Sequence, residues 1–73
     1  MTWRYQAAKQ DGETKVIEVY LNSKDKIWGY GDIELSALTK KELLEDIENM
    51  KSDCRKYPVL NLDNFEFAES DFI

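Results

Sequence analysis

Leu38-Thr39-Lys40-Lys41-Glu42-Leu43-Leu44-Glu45-Asp46-Ile47-Glu48-Asn49-Met50, followed by Lys51 through Tyr57-Pro58, is the stretch that separates this chain from an all-β protein. Thr39 and Glu42 have the spacing of a capping box, in which each side chain serves a backbone N–H that the first helical turn leaves unpaired. Leu38 and Leu43 fall at the two positions of a hydrophobic staple around that cap. Leu43, Leu44, Ile47, Met50 and Cys54 then recur at helical spacing, which predicts one apolar stripe. Glu45, Glu48, Lys51 and Ser52 fall elsewhere on the circumference. Arg55 and Lys56 close the last turn, where cations suit the negative end of the helix dipole. Pro58 disfavours helical geometry at Tyr57 and ends the element.

The residues ahead of this helix read as strands. Trp3, Tyr5 and Ala7 alternate with Arg4, Gln6 and Ala8, the period of two expected of a strand. Asp11-Gly12 follows, a strong hairpin signal. Lys15 to Leu21 reads as a second strand, with Ile17, Val19 and Leu21 on one face and Val16, Glu18 and Tyr20 on the other. Asn22 to Lys26 is a polar turn. A third strand runs from Ile27 to Gly31 with Trp28 and Tyr30 on a shared face, and Ile33 and Leu35 extend it towards the sheet edge. Gly29 and Gly31 suggest a bulge or a close backbone approach. Beyond Pro58, Val59 to Leu62 reads as a short edge strand or an extended strap.

The expected architecture is α+β: a three-stranded antiparallel sheet (β-β-β-α), one helix packed on one face, and a possible short fourth strand. Residues 1–62 form a single domain, and residues 63–73 an acidic, aromatic C-terminal tail. A single helix covers one sheet face, and the other carries Tyr20, Trp28 and Tyr30 or else Trp3 and Tyr5. Aromatics on both faces suggest a further cover, either the tail or a second copy.

Composition bounds the chemistry. The chain has 73 residues, a net charge of −5, no histidine and one cysteine. A domain this small has a thin core and usually needs reinforcement. Cys54 alone forms neither an internal disulfide nor a zinc cluster, which leaves association with a partner or a second copy, with a homodimer expected, or idealised packing as the reinforcement. Cys54 on the apolar stripe reads as a small core hydrophobe. A lone thiol without a signal peptide fits the cytoplasm, and no apolar run reaches the roughly 20 residues that span a bilayer. No nucleotide loop, cofactor fingerprint or metal cluster is present, so no cofactor, no metal and no enzymatic activity are expected. Tyr20, Trp28 and Tyr30, with Arg4, Lys15 and Lys26 nearby, resemble a base-stacking platform, but the acidic balance opposes nucleic-acid binding.

The charge is uneven. Residues 57–73 carry Asp63, Glu66, Glu69 and Asp71 with no base, alongside Phe65, Phe67 and Phe72. Two readings of this tail stand. Its phenylalanines dock into a partner while its acids speed the encounter, or Phe65 and Phe67 cover the open sheet face while the acids stay solvated. Phe72 and Ile73, at the chain end, suit an outside partner. Trp28 and Tyr30 complete the expected partner-binding set.

Trp3-Arg4-Tyr5, Glu18-Val19-Tyr20, the acidic helix Glu42 to Met50 and Tyr57-Pro58-Val59-Leu60 together resemble a group of short, uncharacterised bacterial proteins. The resemblance covers about residues 3–60 and implies no activity. The order of strands and capped acidic helix is also similar to small antitoxin domains of bacterial toxin–antitoxin pairs. The expectation is a non-enzymatic protein–protein interaction module. The alternative is a phage or antitoxin-type inhibitor that blocks a basic nucleic-acid-binding surface of a target protein.

Overall fold

The computed structural model describes residues 2–71. The chain forms β1 (Thr2–Gln10), β2 (Glu13–Leu21), β3 (Ile27–Asp32), α1 (Lys40–Lys56) and β4 (Leu60–Asn61). The fold is α+β, with the strands in the order β3-β2-β1-β4 in one curled half-barrel sheet. β1, β2 and β3 are antiparallel neighbours, and β4 runs parallel to β1.

Asp11-Gly12 makes the first hairpin. Gln10 pairs with Glu13, and both loop residues have positive φ, 51° and 82°. That is the left-handed pair required by the two-residue turn whose twist matches the strands. The next turn is organised by Asn22, whose side-chain oxygen accepts from the backbone N–H groups of Lys24 and Lys26 at 2.9 and 3.0 Å.

Gln6, Ala8, Ile17, Val19 and Leu21 are buried and share one sheet face, because Gln6 pairs with Ile17 and Ala8 with Lys15. Ala8, Ile17 and Val19 form the centre of the core, with Ile27, Tyr30, Leu60 and Leu62 packed against them. The C-terminal segment supplies much of the cover. Leu62 N–H donates to Lys9 C=O at 2.9 Å at one edge of the sheet, and Ala68 N–H donates to Ile27 C=O at 2.8 Å on the edge strand β3. Asp63 lies at the tip of the first hairpin and Asp71 at the β2–β3 turn, so residues 62–71 cross the sheet corner to corner.

Three expectations are corrected. First, a register shift between Tyr20 and Leu21 inserts a residue into β3. The bulge sends Trp28 to the outer face beside Tyr20, with ring centroids 5.5 Å apart, while Tyr30 stays on the core face. A one-residue shift reverses side-chain orientation. Gly31 fits this arrangement, since a Cβ there would lie 2.6 Å from the Tyr20 hydroxyl. Second, β3 ends at Asp32, and Ile33 and Leu35 do not extend it.

Third, the helix buries only part of the expected stripe. Thr39 caps it, accepting from Glu42 N–H at 3.2 Å, but Leu38 is 97% exposed and makes no staple with Leu43. Met50 is buried, and Leu43, Asp46, Asp53, Cys54 and Tyr57 are half-buried on the same side. Leu44 and Ile47 lie on the exposed side, at 51% and 38% exposure. α1 packs against β1, where Asp53 Oδ2 accepts from Tyr5 N–H at 3.1 Å.

The core therefore depends on the sheet and strap more than on the helix. Ile17→Ala should destabilise the protein by about 2–5 kcal/mol, while Ile47→Ala should stay within about 0.5 kcal/mol. Urea midpoints of the two variants against wild type give the comparison, and equal losses would contradict this division.

Candidate interaction surface

The acidic segment is held along the sheet by its own carboxylates. Asp63 accepts from Asp11 N–H through both oxygens at 3.3 Å. Asp71 accepts from Ser23 N–H at 2.9 and 3.1 Å and from Ser23 Oγ at 2.9 Å. Asn22 Nδ2 donates to Glu69 C=O at 3.0 Å. Each turn thus receives a carboxylate that satisfies a free backbone donor. The bonds from Ser23 hold the Asp71 carboxyl below the usual aspartate range.

Phe67 stacks on Tyr30 at 5.8 Å and 19°, and Phe65 meets Phe67 edge-on at 5.0 Å. The structure therefore brings Tyr30, Phe65 and Phe67 together. It does not bring Trp28 to them, because the bulge places that ring on the outer face. The Trp28 indole N–H is buried without a partner among the described residues. The side-chain carboxylates of Glu66 and Glu69 make no hydrogen bond or ion pair among the described residues. Phe72 lies outside the described residues.

This placement weighs on the chemistry considered from sequence. Asp63 and Asp71 sit at opposite ends of β2, a nine-residue strand about 30 Å long. Each is engaged with a turn N–H. Among the described residues, no group of three or more His, Cys, Asp or Glu side chains is placed to hold a metal ion. The three aromatics of the supposed stacking platform are divided between two faces. Burial, and then the neighbouring Asp53, push the Cys54 thiol above its ordinary pKa, which suppresses the thiolate. No described helix is long and apolar enough to cross a membrane.

The surface that sequence reasoning missed is on α1 and the segment leading into it. Leu35, Leu38, Leu44 and Ile47 are all exposed. Lys40, Lys41, Leu44, Glu45, Glu48 and Asn49 border a shallow concavity along this helix. No sequence signal marked it: Leu44 continues the apolar stripe, and the side turned inward is set by Asp53 meeting Tyr5 N–H, 48 positions away.

Two measurements follow from these contacts. Because the folded Asp71 pKa is lowered, its clasp contributes fully above the ordinary aspartate value and is lost as pH falls through the lower, folded value. The Ser23 amide resonance should shift in acid with a midpoint below that of a free aspartate, and Asp71→Asn should remove the transition. Cys54 should alkylate about tenfold more slowly than an unstructured cysteine at mildly alkaline pH and recover that rate in urea. Equal rates would contradict the burial. Comparison of the chain with known protein families, with curated proteins and with solved structures finds no match.

Proposed function

We propose that this protein is a non-enzymatic interaction module that binds another protein surface through the exposed face of α1. One observation carries the reading: Leu44 and Ile47 of α1 remain exposed while Met50 is the helix residue that becomes buried. Apolar side chains gathered on one side of a helix suit a helix-in-groove or helix-on-helix partner. Leu44 and Ile47, three residues apart, lie on neighbouring turns and act as one anchor.

The strap supports this reading by contrast. Tyr30, Phe65 and Phe67 contact one another, and Asp63 and Asp71 serve backbone N–H groups, so much of the segment's binding capacity is used within the chain. An inhibitor that imitates nucleic acid with these acids would have to release both clasps first. The suppressed Cys54 thiolate and the absence of histidine from the sequence favour binding over catalysis. A reducing cytoplasm is the compartment that suits its lone free thiol.

A photo-crosslinking residue introduced at position 44 tests the surface. The expected result is an adduct that maps to a partner's apolar surface and is suppressed by Ile47→Asp. Adducts from a probe at position 67, with none from position 44, would move the interface to the strap and overturn the reading.

A further inference from the structure

We infer that the occupant of this face is a second copy of the same chain, with the two α1 helices packed antiparallel about a two-fold axis at Leu44. This rests on α1 being the interaction surface. The charges on that face carry the inference. Lys40 and Lys41 precede Leu44, and Glu45 and Glu48 follow it. None of the four makes an ion pair within the chain among the described residues, where the ion pair formed is Lys15–Asp32 at 3.5 Å.

Their order is poorly suited to an isolated helix. Lysines in the first turn face the positive end of the dipole, and Lys ahead of Glu is the weaker order for a pair four residues apart. Antiparallel pairing with a second copy resolves both features. A two-fold axis at Leu44 sets Leu44 against Leu44 of the partner subunit, and Lys40 against Glu48 of the partner subunit. By symmetry, Glu48 meets Lys40 of the partner subunit. The carboxylate then lies near the N-terminal turn of the opposite helix, where the dipole favours it. Ile47 falls opposite Lys41 of the partner subunit, whose aliphatic stem can cover it. A parallel arrangement would set lysine on lysine and glutamate on glutamate, so the charges select one orientation.

The interface is small. With the axis at Leu44, residues 40–48 of the two helices overlap, about 13 Å of α1, so the shared area is smaller than that of most stable, specific interfaces. The dimer is accordingly weak and reversible.

Sedimentation equilibrium on the full chain, from micromolar to millimolar concentration, tests the pairing. Lys40→Glu and Glu48→Lys each replace two attractive contacts with two like-charge contacts. Each should weaken self-association by about tenfold or more. An equimolar mixture of the two variants should regain the wild-type affinity, because both cross-helix pairs are restored in the mixed dimer. Both positions are exposed, and circular dichroism checks that each variant folds. Leu44→Glu should abolish association. Wild-type chain that stays monomeric throughout, single variants that dimerise unchanged, or a mixture that fails to recover would each overturn the self-pairing. If the chain is monomeric but the position-44 probe still labels a different protein, the self-pairing is overturned and the α1 interaction surface stands. If that probe labels nothing, both readings are overturned.

Discussion

The amide side chain of Gln6 is the polar centre on which the C-terminal half of the molecule depends. Gln6 is 1% exposed in an otherwise apolar core. Its Nε2 donates to Pro58 C=O at 2.8 Å, and its Oε1 accepts from Arg4 Nε at 3.1 Å. The Arg4 guanidinium in turn lies 3.7 Å from the centre of the Tyr57 ring. This one residue of β1 therefore holds the backbone where α1 ends and Pro58 turns the chain. A buried amide must be paired or cost the fold about 1–3 kcal/mol. The geometry that satisfies Gln6 also brings Leu60 and Asn61 alongside Ala8 and Lys9. The strap starts from that pairing.

The same junction explains how the sheet edges are closed. β1 is protected along its outer edge in two ways: Asp53 meets Tyr5 N–H, and β4 pairs further along. At the opposite edge, the strap bonds to Ile27. An unprotected strand edge invites pairing with another chain. Two of the four carboxylates that make the C-terminal segment look like an exposed docking tail, Asp63 and Asp71, are those that attach it to the two turns. Phe65 and Phe67 give a half-open sheet the area that a chain of this size needs.

Local rules were legible where few residues decide the outcome. Asp11-Gly12 dictates its turn through backbone conformation alone, and Thr39 caps its helix through one hydrogen bond. The alternation of Ile17, Val19 and Leu21 marks the buried face of β2. Legibility ended where one residue changes the phase. A single bulge at β3 separated Trp28 from Tyr30, and nothing in Ile27 to Asp32 says on which side of Gly29 the shift falls. The helix posed a similar problem. Leu43, Leu44, Ile47, Met50 and Cys54 span an arc wide enough that rotation chooses which edge goes inside. Asp53 chose it, through a partner 48 positions away in sequence. Gln6 looked like a surface residue because its partners, Arg4 and the Pro58 carbonyl, become visible only when β1 and the helix exit are adjacent. The exposed apolar side of α1 was hidden for the same reason, since Leu44 reads as core until its helix is turned.

The strap and the exposed helix face are therefore two sides of one arrangement. A helix that filled the curled sheet would bury Leu44 and Ile47 and leave Phe65 and Phe67 without a seat. Here Leu60, Leu62 and the strap occupy that space, and α1 is attached to β1 through Met50, Asp53 and the Tyr57–Pro58 exit. The helix is relieved of most of its packing duty, yet it keeps an apolar face and an ordered sequence of charges. For a lone helix, Lys40 and Lys41 stand at the wrong end of the dipole. Solubility alone would be served by any polar residues along this side, and more simply by acids in the first turn. Leu44, with Lys40 and Lys41 before it and Glu45 and Glu48 after it, is instead the pattern that the proposed antiparallel copy would complete.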